Sequence, residues 1–412
     1  MRGSSNLVSI LDLGSTKAVC LAAETDGANG LEIRGFATAE CKGLKRGIVN
    51  DLDAAASAID EVVRRVQQMA GEEIQSLVVG ISGTHVEGVN AQGFVPIYPR
   101  SRTIQREDVL QVINHSRQLM ISPDREQIQA LPREFRIDGQ RGIRQPIGMS
   151  GSKLEVVTYI VTGQTTHIQN IEKAVAMAGK RVEQMVLQPL ASGLAVLTEE
   201  ELDLGAVVVD IGGGTTDIGV FTGGSIAFSA TIPVAGVLVT SDLSKLLKTT
   251  PEEAERLKLE SGNAVPKLVP ETESISVMQL GHTQQRPLQR RVLVEIIESR
   301  MRELAMMVKQ QIEKSGMTGM LPGGIVLTGG GSQLPGTEKL FGDMIKHVRI
   351  RTGVPQIEGP HAESMNAASM ATAMGLARFA VQFADDELAP AESGNWKDRI
   401  RTFWSSLGKQ QV

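Results

Sequence analysis

The sequence predicts an α/β protein of two related lobes, with a small α+β unit inserted in the first and an amphipathic helix at the C-terminal end. Three observations carry this. The segment ILDLGSTKAVCL (10–21) returns as VVDIGGGTTDIGVF (208–221), with Asp12 aligned to Asp210 and Gly14 to Gly212, and self-similarity of this kind marks a duplicated half-domain. Residues 84–163 break the first copy with scattered Pro and Gly. Aromatics make up only 3% of the 412 residues, yet both tryptophans, Trp396 and Trp404, fall among the last 17.

The elements follow in order. Residues 7–22 read as a strand, a polar turn at Gly14-Ser15-Thr16-Lys17 and a second strand. Ala54, Ile59, Val62, Val63, Val66 and Met69 recur at a helical period over 53–70, and strand Ser76–Ile81 follows. Inside the insertion, Arg106–Met120 reads as helix, and the runs around Arg133–Ile137 and Leu154–Val161 as strands. Beyond it come helix 167–178, strand 182–187, helix 189–200 and the second hairpin at 206–221. A helical stretch with weakly ordered surroundings is expected over 240–310, with Met301, Met306 and Met307 in the core. Then come strand Gly324–Leu327, the turn Gly329-Gly330-Gly331 and helix Ala367–Phe383. The acidic segment DDELAPAESGN (385–395) reads as a flexible linker.

Composition narrows the function. With 41% hydrophobic residues, 22% charged and a net charge of −5, the chain is globular and carries no nucleic-acid footprint. Cys20 and Cys41 give neither a disulfide framework nor a zinc spacing, and are expected as buried, inert thiols. The six histidines (85, 115, 167, 282, 347, 361) show no ligand spacing. Asp12 interrupts the short apolar run of the N-terminal segment, so no secretory signal is expected, and no run approaches the ~18–20 apolar residues of a membrane span. The expectation is an intracellular protein, soluble or peripheral to a membrane.

Chemistry concentrates in the paired turns. Glycine lets backbone N–H groups approach a ligand, and consecutive N–H groups with small hydroxyls form an anion-binding concavity. Lys17 adds a point charge for phosphate. An Asp at each strand end suits a hydrated Mg²⁺, which takes few carboxylates. Two facing Asp-x-Gly hairpins can therefore clamp a triphosphate, with Thr215 and Thr216 orienting phosphate or an attacking water. One such turn alone is usually only a hairpin; the pairing makes the nucleotide reading. The run Leu327-Thr328-Gly329-Gly330-Gly331-Ser332 adds a strand entering a glycine turn, against which a base or ribose can lie. Neither G-x-x-x-x-G-K-[ST] nor a helix-opening G-x-G-x-x-G occurs.

The tail reads differently. Trp396, Ile400, Phe403, Trp404 and Leu407 fall on one helical stripe, flanked by Lys397, Arg399 and Arg401, with Asn395 as N-cap. An aromatic apolar face beside a basic one describes a helix lying in a membrane interface. A helix docked on a partner or on the protein's own body is the alternative. Basic residues contribute about 1 kcal/mol each at an anionic surface. A single tail then binds reversibly, and many tails on one polymer bind firmly.

The two hairpins, the connecting Gln188-Pro189-Leu190-Ala191-Ser192 helix, the glycine turn at 328–332 and the late alanine-rich helix together resemble the actin-like ATPase superfamily, whose two lobes are ribonuclease H-like. Within it RGIVNDLDAA (46–55), QPIGMSGSKLEV (145–156) and the end at 396–407 resemble the bacterial cell-division FtsA family, over essentially the whole chain. The resemblance implies a first core domain from 1–83, 164–200 and about 367–384, and an inserted subdomain at 84–163. It implies a second core domain from 201–228 and 310–366, a small subdomain at 229–309, a linker at 385–395 and a membrane-targeting helix at 396–412. ATP and Mg²⁺ are the implied cofactors. Asp12, Gly14, Ser15, Thr16 and Lys17 would form one phosphate loop; Asp210, Gly212, Gly213, Gly214, Thr215 and Thr216 would form the other. Asp12 and Asp210 would hold Mg²⁺ through water. Gly329, Gly330, Gly331 and Ser332 would face the adenosine, and Glu255 and Lys258 the base and ribose, though a solvated helix face accounts for that pair as well. Gln188 would position the attacking water; an amide cannot deprotonate it, so slow hydrolysis is expected. The implied partners are the tubulin-like protein FtsZ through its C-terminal peptide, further copies of the chain in a filament, later division proteins and an anionic membrane. The implied location is the cytoplasmic face of the inner membrane at the division site. Arg291 and Arg300 are candidate contacts for the acidic FtsZ peptide. A PilM-like pilus-assembly adaptor with the same core is the alternative, and would not need the tail. A sugar-kinase-type enzyme would need a carboxylate base beside an acceptor pocket, and no residue nominates itself.

Overall fold

The computed structural model describes residues 7–25, 31–118, 121–281, 284–357 and 360–384. The linker 385–395, the tail 396–412 with Trp396, Lys397, Arg399, Ile400, Arg401, Phe403, Trp404 and Leu407, and His282 lie outside them.

Duplication extends to the hydrogen-bonding register. In the first lobe, strands Val8–Leu13, Lys17–Thr25 and Leu31–Glu40 form an antiparallel meander, and Ser76–Ile81 and Arg181–Leu187 extend it in parallel on the other side. In the second lobe, Ala206–Ile211, Thr216–Thr222 and Ser225–Ile232 form the meander, and Gly324–Thr328 and Ile350–Thr352 add in parallel. Leu13 pairs with Ala18 as Ile211 pairs with Thr216, so Asp12 and Asp210 occupy equivalent positions one residue before each strand end.

Each sheet buries both faces, which accounts for its near-continuous apolar strands. Helix Leu52–Ala70 covers the outside of the first sheet with Ala55, Ile59, Val62, Val63 and Val66. Asp51 caps its start by accepting from the Ala54 N–H at 3.0 Å, and Gly71, in the left-handed region, ends it. Helix Arg290–Lys314 does the same for the second sheet with Leu293, Ile297, Met301, Leu304 and Val308. Helices Gln188–Val196 and Ala371–Ala384 lie between the sheets, in a core that joins Ile10, Val19 and Val186 of one lobe to Val208, Phe221 and Val326 of the other. These two helices touch at Gly375, where an added Cβ would stand 1.7 Å from the Ala191 carbonyl oxygen.

Within residues 84–163, strands Val86–Pro96, Lys153–Gln164, Arg125–Ile137 and Gln140–Ile143 form an antiparallel sheet in that spatial order. Helix Arg106–Ser116 covers one face of it through Val112, packed with Val95, Ile97, Phe135 and Val156. The unit docks on the edge of the second lobe. The Tyr159 hydroxyl and Ser229 Oγ lie 2.8 Å apart, Asn90 Nδ2 donates to the Ala227 carbonyl at 3.1 Å, and Arg133 Nη2 donates to Thr222 Oγ1 at 3.1 Å.

The structure departs from the sequence reading in several places. Helix 189–200 is two helices, because Thr198 leaves helical geometry to cap Glu199–Leu204 in a capping box with Glu201. The described residues of 240–310 are ordered into helices Gly236–Leu247, Pro251–Ser261 and Arg290–Lys314 and a hairpin of Ser274–Val277 with Arg286–Gln289. Met301 is buried, Met307 packs at the rim of that core, and Met306 is 49% exposed on the outward face, against the core expectation. A boundary at 228/229 cuts strand Ser225–Ile232. Both cysteines are free and buried, and burial pushes the Cys20 thiol up to about 12. Among the described residues no helix is long and apolar enough to cross a membrane.

Candidate functional site

The two aspartates are brought to one place by the helix that connects the lobes. Gln188 and Ser192 are four residues apart at the start of Gln188–Val196, so both project from one face. Gln188 Nε2 donates to Asp12 Oδ1 at 3.0 Å, and Ser192 Oγ donates to Asp210 Oδ2 at 2.6 Å. Thr372, from the late helix, donates to the same Asp210 oxygen at 2.8 Å. Lys17 Nζ reaches the Ser369 carbonyl at 2.7 Å.

The turns close with the same bond: the Gly14 N–H donates to the Lys17 carbonyl at 3.0 Å, and the Gly212 N–H to the Thr215 carbonyl at 2.9 Å. They meet tip to tip. A Cβ added to Gly213 would lie 2.4 Å from Thr16 Cγ2, and one added to Gly214 would lie 2.3 Å from Ser15 Oγ. Only glycine permits this approach. The hairpin of Leu44–Lys45 and Ile48–Val49 backs the contact, with the Gly47 N–H donating to Ser15 Oγ at 3.3 Å.

The other candidates distribute around this centre. Gly329, at φ +80°, lets the third turn pass Asp210, since a Cβ there would stand 2.2 Å from Asp210 Oδ1. A Cβ on Gly331 would strike Ile211, whereas one on Gly330 would only touch Ser369 Cβ at 3.8 Å. Ser332 Oγ donates to the Gly329 carbonyl at 2.7 Å, within its own turn. Lys258 Nζ pairs with Glu255 Oε2 at 2.7 Å and donates to Thr240 Oγ1 at 2.9 Å and to the Gly236 carbonyl at 3.3 Å. The Gly236 N–H in turn donates to the Gly212 carbonyl, so the pair sits directly behind the second turn. The threonines of that turn point inward: Thr216 Oγ1 donates to the Val234 carbonyl at 2.8 Å, and Thr215 Oγ1 to Asp217 Oδ2 at 3.0 Å. Arg291 and Arg300 are remote and engaged, Arg291 with Glu271 and Glu295, Arg300 with Asp242 and Glu303.

Electrostatics leave the centre short of positive charge. Burial pushes the Asp12 carboxyl up to about 6; Lys17 opposes the shift and Asp210 adds to it. Burial also raises Asp210, although Ser192 and Thr372 hold it down. The Asp217 carboxyl, pushed up to about 7 chiefly by burial, is a third acid beside them. One lysine facing several desolvated carboxyls is a donor set that a hydrated divalent cation would stabilise. Among the described residues no group of three or more His, Cys, Asp or Glu side chains is placed to hold a metal ion directly. Sequence reasoning passed over Asp217, Thr372 and Ser369. Asp217 was visible as the last residue of GGGTTD; the other two carry no local signal.

The family model "Cell division protein FtsA" matches residues 207–375, and the model "SHS2 domain inserted in FTSA" matches residues 83–162. The cell division protein FtsA of Pseudomonas aeruginosa is 37% identical over 95% of this chain and 93% of its own length. Among solved structures, the PilM-PilN type IV pilus biogenesis complex aligns at a TM-score of 0.64 and 17% identity, over 91% of this chain and 98% of that one. MreB5 of Spiroplasma citri bound to ADP aligns at 0.57 and 14%, over 93% and 99%. At those identities the two structures are similar in fold alone, which is the actin-like one.

Proposed function

The chain belongs to the FtsA family of cell-division proteins, and from that premise we propose that it binds Mg-ATP in the cleft of its actin-like fold and polymerises as a membrane anchor of the division machinery. One observation carries the reading. The connecting helix holds Asp12 through Gln188 and Asp210 through Ser192, beside two glycine turns in contact. Asp12 and Asp210 would hold the hydrated Mg²⁺, which supplies charge neutralisation to the phosphates when bound. Lys17 and the turns at 14–17 and 212–216 hold the phosphates, the turn at 329–332 lies along the adenosine, and Glu255 and Lys258 back the second turn. Gln188 orients a water and takes no proton from it, so hydrolysis is slow and the nucleotide works chiefly as a structural ligand.

The tail at 396–412 binds the cytoplasmic face of the inner membrane, and filament formation multiplies its hold. The subdomain at 229–309 takes the C-terminal peptide of FtsZ, and the filament recruits later division proteins. Arg291 and Arg300 can serve that peptide only by exchanging their present acidic partners for it. The PilM-like alternative rests on likeness of fold, whereas family models and relatives point to cell division. Calorimetric titration with Mg-ATP tests the site. The wild-type chain binds one nucleotide, and Asp210→Ala weakens binding at least about tenfold, the scale of one lost charge-assisted contact; wild-type affinity in that variant would refute the role of Asp210.

A further inference from the structure

The short hairpin of Leu44–Lys45 and Ile48–Val49 breaks the rule of its own turn. Lys45 pairs with Ile48, so Arg46 and Gly47 form a two-residue loop. Both take positive φ, +55° and +79°. That is the type I′ pattern, which favours Asn, Asp or Gly at its first position and Gly at its second. Gly47 obeys, and a Cβ there would stand 2.7 Å from the Ser82 carbonyl oxygen. Arg46 does not. A long side chain held in the left-handed region is strained, and such strain gathers at functional sites. The hairpin gains no contact in return: Arg46 is exposed, and its guanidinium makes no hydrogen bond or ion pair among the described residues.

The strained residue is held at one place, against both phosphate turns. At the base of the hairpin the Asn50 and Asp51 N–H groups donate to the Gly43 carbonyl at 2.9 and 3.2 Å, beside the start of helix Leu52–Ala70. At its tip the Gly47 N–H donates to Ser15 Oγ of the first turn at 3.3 Å. A Cβ added to Gly214 of the second turn would stand 3.2 Å from the Arg46 nitrogen. An arginine side chain is longer than either separation, so its guanidinium can reach an anion held by the two turns. The two ends of the second turn have different neighbours. The Gly212 carbonyl accepts from the Gly236 N–H at 3.1 Å, and the Gly236 carbonyl from Lys258 Nζ at 3.3 Å. Gly214 instead faces Ser15 and Arg46. A nucleotide with its adenosine on the side of Lys258 and the third turn therefore carries its last phosphate toward Gly214. Lys17, the cation among the buried carboxyls, already donates to the Ser369 carbonyl at 2.7 Å. We propose that Arg46 is a second cation of this site, a binding residue for the terminal phosphate that sets the preference for a nucleoside triphosphate over a diphosphate. The proposal rests on the nucleotide reading of the cleft. A guanidinium suits the task because it offers phosphate oxygens a planar fork of donors.

Calorimetric titration of the full chain with Mg-ATP and with Mg-ADP tests this in wild type, Arg46→Asn and Arg46→Lys. Asparagine is a residue the turn favours, so Arg46→Asn removes the guanidinium and relieves the hairpin; Arg46→Gly replaces it if that variant does not fold. ATP affinity falls about tenfold in Arg46→Asn, the scale of one lost hydrogen bond to a charged group, while ADP affinity stays within about twofold of wild type. Arg46→Lys keeps a point charge without the fork and falls between the two. Thermal unfolding without nucleotide shows Arg46→Asn at least as stable as wild type. A less stable Arg46→Asn means that the arginine serves the hairpin, and overturns the proposal. Equal losses for ATP and ADP, or an unchanged ATP affinity, overturn the role of Arg46 and leave the nucleotide reading standing. Absence of binding of either nucleotide by wild type overturns the nucleotide reading itself, and the role of Arg46 with it.

Discussion

Replacing Ser192 with alanine removes one oxygen from a wholly buried position. That oxygen donates to Asp210 Oδ2 at 2.6 Å, and Thr372 donates to the same atom at 2.8 Å. A hydrogen bond to an ionised group contributes about 1.5–3 kcal/mol. Because Thr372 remains, the lower end applies, about 1.5 kcal/mol or roughly a tenfold loss in Mg-dependent ATP affinity. The sign with pH follows from the cause. Burial raises the proton affinity of Asp210, and Ser192 opposes that rise. Without the hydroxyl the carboxyl stays protonated to higher pH, and the protonated form cannot serve a cation. The deficit therefore grows as pH falls and shrinks as pH rises. Titration of a fluorescent ATP analogue with and without Mg²⁺, over a series of pH values, reads both effects. Thr372→Val gives a similar loss, and the pair is non-additive because both hydroxyls serve one oxygen. Affinity within about twofold of wild type at every pH refutes the reasoning, since loss of even one net hydrogen bond exceeds that factor.

Two further predictions concern other parts of the chain. Deleting residues 396–412 abolishes sedimentation with anionic liposomes and leaves ATP affinity unchanged; undiminished sedimentation removes the membrane role of the tail. Asp217, raised from 3.8 to about 7 by burial, contributes stability that is present below pH 4 and lost as pH rises through 7. In nucleotide-free urea unfolding, Asp217→Asn therefore gains on wild type between about pH 5 and pH 8, by up to about 1.4 kcal/mol per unit of raised pKa; a difference independent of pH contradicts it.

Legibility from sequence followed the range of the interactions. Asp12, Asp210 and their glycines were readable because each hairpin closes within a few residues, and the repeat made one copy interpret the other. Strands Leu31–Glu40, Val86–Pro96 and Ser225–Ile232 were not singled out. The first alternates imperfectly, with Gly35 needed against helix Leu52–Ala70, where a Cβ would stand 2.8 Å from Met69 Cβ. The second buries Ala91, Gly93 and Val95 on one side and exposes Gln92 and Phe94 on the other, a weak apolar stripe. Thr372 and Ser369 could not be assigned, because their partners lie far off in sequence: Thr372 is 162 residues from Asp210, and Ser369 is 352 from Lys17. Thr215 and Thr216 looked like ligand hydroxyls, and only the fold shows them bonded inward.

The proposed function requires a nucleotide-loaded filament carried on a membrane by many weak tails. Electron microscopy of the full chain on anionic lipid monolayers, with Mg-ATP and with or without an FtsZ C-terminal peptide, tests it most directly. Filaments are expected on the lipid with Mg-ATP, with recruitment of the peptide to them, and bare monolayers when residues 396–412 are deleted. Monolayers without filaments and without recruited peptide, under conditions where the protein is folded and binds ATP, would contradict it.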